Sequence, residues 1–414
     1  MSHDNVINFG QPENPLQQLL KKGAQQLLAQ AIEAELQILL EHYAELTVDN
    51  KQAVVRNGYL PERNLQTGLG DIEVKVPKVR DRSKQGIKFN SPLVPPYLKR
   101  TKNIEELIPW LYLRGISTGD MQPALANLLG ENAVGLSANS VCHLKQQWEE
   151  DYDKWRKRDL SNKHFVYIWA DGIYSKVRMD DKLCLLVIMG ADNTGRKELL
   201  AVVDGYRESE ASWMEVLQQL KEQGLSVAPK LAIGDGALGF WNAIGKFWPA
   251  TAQQRCWVHK TANILSKTPK SMHEKMKDAL RDIWMAETKE DACKAYDLFE
   301  KSYGAKYPKA TECLVKDKTE MLAFYDFPAE HWSHIRTTNP IESTFATIRL
   351  RTKKAKSCGS RKTTLAMIFK LAEAAQSKWN KLRGSKLLAD VIEGIVFNDG
   401  IREEKSINQQ DIAL

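Results

Sequence analysis

Three carboxylates stand where rigid supports would hold them: Asp171, Asp235 and Glu342. Asp171 follows Phe165-Val-Tyr-Ile-Trp-Ala, whose alternate residues are apolar on both faces, the pattern of a strand covered on both sides. Asp235 follows the shorter run Lys230-Leu-Ala-Ile-Gly, and both aspartates precede a glycine. Glu342 sits in Asn339-Pro340-Ile341-Glu342, with Asn339 read as a helix cap and Pro340 in the first turn. Each has a plainer reading. Asp-Gly commonly opens a turn, and Asn339-x-x-Glu342 is also a capping-box pattern. Taken together, three carboxylates offer oxygen donors for two divalent cations about 4 Å apart, suited to Mg²⁺ or Mn²⁺ and not to zinc. Such a pair activates a water or a 3′-hydroxyl on one side of a phosphodiester and stabilises the leaving oxygen on the other. Arg349 and Lys353, about two and three helical turns beyond Glu342, would neutralise phosphates beside that site, and Arg351 belongs to the same basic run.

The elements that must position these groups read as a mixed α/β core. After the Asp171 strand come a strand from Leu183 to Met189, a turn at Asp192-Asn193-Thr194-Gly195, and a strand from Glu198 to Val203. Ser209 caps a helix stopped by Gly224; then follow the Asp235 strand, a helix over Ala237 to Phe247, and a short strand from Gln254 to Val258 carrying Cys256 and leading to His259. The order βββαβαβ is that of the ribonuclease-H-like fold, in which the first and fourth strands are parallel neighbours, so Asp171 and Asp235 are expected side by side. Residues 260–335 carry helical patterning and no strand signal, an all-α insertion, and residues 336–398 close the core with helices bearing a basic face. From Ser343 to Lys386 there are 12 Lys/Arg and one acid, Glu373. The first part of the core is placed at 159–259 and a polar tail at 399–414.

Upstream, residues 1–50 hold a leucine-rich helical segment, core or dimer seam, with Gly23 as a candidate break. Residues 51–103 carry 12 Lys/Arg against 4 Asp/Glu, a surplus larger than the +7 of the whole chain. Within them Asn64 to Pro77 reads as a β-hairpin turning near Gly68 to Asp71, flanked by Arg80, Arg82 and Lys84. That density of charge is either a solvated surface or a nucleic-acid contact, with these three residues as the candidates. Residues 104–158 read as three helices, two of them able to form a helix-turn-helix that binds DNA or simply packs a core.

With 414 residues the chain has room for two to four domains. No apolar run is long enough to cross a bilayer, the first residues lack signal-peptide character, and the six cysteines include no Cys-x-x-Cys pair. A cytoplasmic protein with reduced thiols and no membrane association is the expectation.

Five stretches, in order, resemble one family: RNGYLPERNLQTGLGDIEVKVP, ADGIY at Asp171, GDGALGFWNAI at Asp235, CWVHK at Cys256 and His259, and TTNPIESTFATIRLRTKK at Glu342. The chain is similar to transposases of the insertion-sequence-256 family, the bacterial branch of the Mutator superfamily. The resemblance implies that Asp171, Asp235 and Glu342 are a catalytic acidic triad holding two Mg²⁺ or Mn²⁺ ions. It implies that Cys256 and His259 are the superfamily's Cys-x-x-His element, here expected to brace the site. It also implies an N-terminal part that binds terminal inverted repeats, with action on element ends and target DNA as a homodimer or larger assembly. One departure is Pro340, where relatives commonly carry a small residue. Three rivals are a ribonuclease-H-like nuclease or resolvase without strand transfer, a non-catalytic DNA-binding regulator derived from a transposase, and a zinc protein using Cys256, His259, His331 and His334.

Overall fold

The computed structural model describes residues 15–116, 118–129, 138–178, 181–205, 207–354 and 360–403. The chain forms two compact units, Met1–Leu144 and Lys145–Leu414. No helix among the described residues is long and apolar enough to cross a membrane.

In the first unit, α1 (Pro15–His42) runs unbroken through Gly23. Its C-terminal half buries Ile32 and Leu36 against Leu65, Ile72, Val74 and Val76, while Leu16, Leu19, Leu20 and Leu27 nearer its start are exposed. After a two-residue pair, β1 (Thr47–Val48) with β2 (Lys51–Gln52), four strands follow: β3 (Val54–Tyr59), β4 (Arg63–Thr67), β5 (Gly70–Val74) and β6 (Pro77–Asp81). The hairpin read from sequence is β4–β5, closed by Gly68 and Leu69, with the Thr67 hydroxyl donating to the Gly70 carbonyl at 2.7 Å. Strand β6 does not extend that hairpin; it pairs with β3. A separate apolar cluster of Ile104, Ile108, Leu111, Met121 and Leu125 joins α2 (Lys102–Leu113) to α3 (Thr118–Leu129). The loop after α3 lies outside the described residues, and α4 (Ala138–Trp155) leads onward.

The second unit is built on a five-stranded sheet. Its strands are β7 (Phe165–Arg178), β8 (Asp181–Asp192), β9 (Lys197–Gly205), β10 (Leu231–Gly234) and β11 (Ala252–Arg255), in spatial order β11-β10-β7-β8-β9. Strands β7, β8 and β9 form an antiparallel meander; β10 runs parallel to β7, and β11 parallel to β10. On one face, α5 (Glu210–Glu222) and α6 (Leu238–Phe247) place Trp213, Leu217, Phe240 and Ile244 over Phe165, Ile168 and Ala170. Each large side chain buried there is worth about 1.5–3 kcal/mol. The other face of β7 presents Tyr167 and Trp169 to residues 327–334: Tyr167 packs edge-on against Phe327, and Trp169 Nε1 donates to the His334 carbonyl at 3.0 Å.

Two sequence expectations are corrected here. Strand β7 does not stop at Asp171-Gly172; it continues in a long hairpin with β8 as far as Arg178. What ends is its other neighbour: β10 pairs only with Tyr167, Ile168 and Trp169. Similarly, the fifth strand stops at Arg255. Cys256 N–H still donates to the Gly234 carbonyl at 2.7 Å, but the Cys256 carbonyl accepts from Lys260 N–H at 2.9 Å, so Cys256 caps α7 (Trp257–Leu265).

From there the described chain is helical up to its last strands: α8 (His273–Trp284), α9 (Lys289–Tyr303), α10 (Pro308–Val315), α11 (Lys318–Met321), α12 (Trp332–Ile335), α13 (Asn339–Lys354), α14 (Arg361–Gln376) and α15 (Leu388–Glu393). A two-residue pair, β12 (Phe397–Asn398) with β13 (Ile401–Arg402), closes it. The buried Lys260 ammonium ties α7 to this helical block through the Asp317 carboxylate and the Cys313 carbonyl.

Candidate active site

Side chains alternate along a strand, so Asp171 shares a face with Tyr167 and Trp169 and points toward the C-terminal helices, whereas Gly172 faces α5. Asp171 is only 6% exposed. Extending the parallel register Ile233↔Trp169 by two residues sets Asp235 level with Asp171. The Asp235 loop is fixed on three sides. Asp235 Oδ1 accepts from Ala237 N–H at 2.8 Å, and its carbonyl accepts from Trp241 Nε1 at 2.7 Å and from Arg255 Nη1 at 3.0 Å. The Arg255 guanidinium also stacks on the Trp241 ring, 4.3 Å from its centroid.

Gly172 has a purpose that a turn would not give it. A Cβ at that position would lie 2.0 Å from the Glu208 carboxyl, so Glu208 fills the space a side chain would take. Sequence reasoning passed over Glu208, which precedes the Ser209 cap of α5. Burial, reinforced by the carboxylates of Asp235 and Asp171 and opposed by His259, lifts Glu208 to about 7. That shift records a buried carboxyl with two further acids beside it at one end of β7 and β10.

Glu342 enters from α13. The structure places Thr338, not Asn339, as its cap: the Thr338 carbonyl accepts from Ile341 N–H at 2.9 Å and from Glu342 N–H at 3.1 Å. Glu342 is therefore the fourth helical residue, one place beyond the position a capping box requires. Its Oε1 accepts from the Thr338 hydroxyl at 3.0 Å and lies 3.7 Å from His259 Nδ1. His259 is raised to about 9, chiefly by its hydrogen bond with Cys256, with the Asp171 and Glu342 carboxylates adding to the effect against burial.

The four-ligand zinc set does not assemble. His331 Nε2–H donates to the Gly384 carbonyl at 3.0 Å, leaving Nδ1 to accept from the Tyr167 hydroxyl at 2.7 Å. His334 Nε2 accepts from Arg383 N–H at 3.1 Å. Cys256 and His259 are instead grouped with Glu342.

A family model described as "Transposase, Mutator family" matches residues 7–382. The chain belongs to the Mutator family of transposases. Among curated relatives, the transposase for insertion sequence element IS6120 of Mycolicibacterium smegmatis is 50% identical, over 72% of this chain and 92% of its own. The transposase for IST2 of Acidithiobacillus ferrooxidans is 49% identical over 68% and 95%. The transposase for IS256 in transposon Tn4001 of Staphylococcus aureus is 29% identical over 74% and 76%. A solved Drosophila P element transposase strand transfer complex aligns with 71% of this chain and 91% of its own at 10% identity and a TM-score of 0.22, too low to bear on fold or function.

Of this transposase's candidate DNA-contacting residues, Arg80, Arg82 and Lys84 are exposed on and just after β6, and Arg82 Nη1 donates to the Gln52 carbonyl at 3.0 Å. Arg63 in the same basic segment is a structural cation, donating to the carbonyls of Val94, Pro95, Pro96 and Leu98. The side chains of Arg349, Arg351 and Lys353 lie outside the described residues, although the α13 backbone that carries them is included.

Proposed function

We propose that this transposase binds the terminal inverted repeats of its insertion sequence and cuts and joins DNA strands there, with Asp171, Asp235 and Glu342 holding two Mg²⁺ or Mn²⁺ ions. The observation that carries the reading is the arrival of Asp171 and Asp235 on adjoining parallel strands, with Glu342 brought to His259, whose Nδ1 is 3.7 Å from its Oε1. The donor set fits: all three are oxygen ligands, and Glu208, raised by burial and further by Asp235 and Asp171, marks a place where added positive charge would relieve repulsion. Bound cations would supply the charge neutralisation that in-line displacement at phosphorus needs. The chain's own groups do the rest. The sheet end fixes the two aspartates, α13 delivers Glu342, and the exposed cations of the first unit supply phosphate contacts that position DNA.

The sheet is best read as ribonuclease-H-like, supported by its order, in which the first and fourth core strands are parallel neighbours flanked by an antiparallel meander and a parallel fifth strand. Action as a homodimer or larger assembly on DNA is supported by the exposed leucines of α1. The working location is the cytoplasm, at the nucleoid.

The test is incubation of the full chain with linear DNA carrying its own element ends and Mg²⁺. Wild type should give nicked and joined products. Glu342→Gln, Asp171→Asn and Asp235→Asn should bind ends and yield neither product. Nicks without joined strands would favour the nuclease reading, and cleavage by Glu342→Gln near the wild-type rate would remove Glu342 from the triad.

A further inference from the structure

The Cys-Trp-Val-His stretch and the Thr-Thr-Asn-Pro stretch meet at one atom. The Thr338 hydroxyl lies 3.0 Å from Glu342 Oε1, 3.3 Å from His259 Nδ1 and 3.3 Å from Cys256 Sγ. Thr338 is fully buried, Cys256 nearly so, and Thr338 N–H also donates to Cys256 Sγ at 3.3 Å. Cys256 N–H in turn donates to the Gly234 carbonyl, one residue before Asp235. A continuous path of hydrogen bonds therefore runs from the end of β10 through Cys256 and Thr338 to the Glu342 carboxylate.

The proton count closes. A hydroxyl has one proton and two lone pairs. A carboxylate only accepts, so the proton goes to Glu342. A lone pair is left for His259 Nδ1–H, while Cys256 Sγ accepts from the Thr338 backbone N–H. Ligand atoms of Cys256, His259 and Glu342 lie within 4.8 Å of one another, a spacing that resembles a site for a soft cation. A zinc ion would need about 2.0–2.3 Å to each of them. In this structure the Thr338 hydroxyl is in hydrogen-bond reach of all three.

We propose that Thr338 is a positioning residue, whose hydroxyl, anchored by Cys256 and His259, fixes the Glu342 carboxylate relative to the Asp235 strand so that the metal site is preformed. This rests on the reading of Glu342 as a metal ligand, and the test separates the two. Mn²⁺ binding to the full chain without DNA is followed by the paramagnetic resonance of the free ion, alongside end binding, nicking and the melting temperature. The variants are Thr338→Val, which keeps the shape and loses the hydroxyl, Thr338→Ser, which restores it, and Glu342→Gln.

Groups that orient metal ligands typically account for 10–100-fold in affinity or activity. Thr338→Val should therefore weaken Mn²⁺ binding and slow nicking by about 10–100-fold, with end binding unchanged and nicking partly recovered at high metal concentration. Thr338→Ser should stay within about threefold of wild type on the same scale. Wild-type Mn²⁺ affinity in Thr338→Val overturns the inference, as does a Thr338→Ser variant equally impaired, which would assign the role to the methyl group. If Thr338→Val does not fold, Cys256→Ala, which keeps the hydroxyl but removes an anchor, should show a smaller loss of affinity, and wild-type affinity there is equally fatal. Unchanged Mn²⁺ binding by Glu342→Gln would instead sink the ligand reading itself.

Discussion

At the scale of single residues, the placement of Asp171 and Asp235 was legible because apolar strands and glycines framed them, whereas that of Glu208 was not. Nothing in its neighbourhood in sequence marks it; only the bare Gly172 backbone, seen with its neighbours, reveals a carboxyl tucked beside Asp171. Glu208 makes a prediction of its own. Its folded-state value of about 7 lies above the usual 4.5, so the folded chain holds this proton more tightly than the unfolded chain does. Its contribution to stability is fully present below about 4.5 and is lost as pH rises through about 7. In EDTA, Glu208→Gln should match wild type at pH 4.5 and melt at increasingly higher temperature than wild type toward pH 8. Parallel melting curves across that range would show that neither burial nor its acidic neighbours raise Glu208.

At the scale of elements, alternation and turn chemistry gave the strands and the meander, because burial on both faces leaves a pattern any reader can count, while the parallel pairing came from matching the order of elements to a known fold. Strand ends were less legible. Asp-Gly reads as a turn, yet β7 passes straight through it because β8 continues to pair with it. Asn-Pro reads as a cap, yet Thr338 caps α13 because its carbonyl takes the first helical bonds. Contacts between distant segments left no local signal at all, and the junction of α7 with the helical block is one of them. Lys260 is 6% exposed and held by Asp317 and the Cys313 carbonyl. Lys260→Met should destabilise the chain by about 3–5 kcal/mol, because it strands a largely buried carboxylate. Adding Asp317→Leu should recover much of that loss, since an apolar pair can replace a buried ion pair at little net cost. Chemical denaturation of the two variants measures both; a double variant no more stable than the single one would assign the loss to packing and not to the stranded charge.

At the scale of the whole molecule, the two units invite a division of labour: acids gathered on the sheet of one, exposed cations on the strands of the other. The basic surplus of residues 51–103 was countable in sequence, but which cations are free to meet phosphate was not. Arg63 is committed to four backbone carbonyls and Arg56 to Glu33, while Arg80 and Lys84 are exposed around β6 and Arg82, also exposed, donates to the Gln52 carbonyl. Lys84 does so from a left-handed backbone position, φ 59°, that turns the chain just after the strand. If these three contact phosphates, replacing all of them by alanine should weaken end binding and flatten its salt dependence. Each lost contact removes about 0.9 from the slope of log affinity against log salt, so the full effect is a reduction of roughly 2.7. Arg63→Ala should act differently, lowering the melting temperature of the first unit through its orphaned carbonyls and leaving the slope of the remaining folded protein unchanged. Glu342→Gln should leave both slope and melting temperature near wild type while abolishing strand cutting. Binding titrations across a salt series, with nicking assayed on the same samples, read all three at once. A triple alanine variant with the wild-type slope would show that the β6 cations are a solvated surface and that the DNA-binding face must be sought on other elements of the molecule.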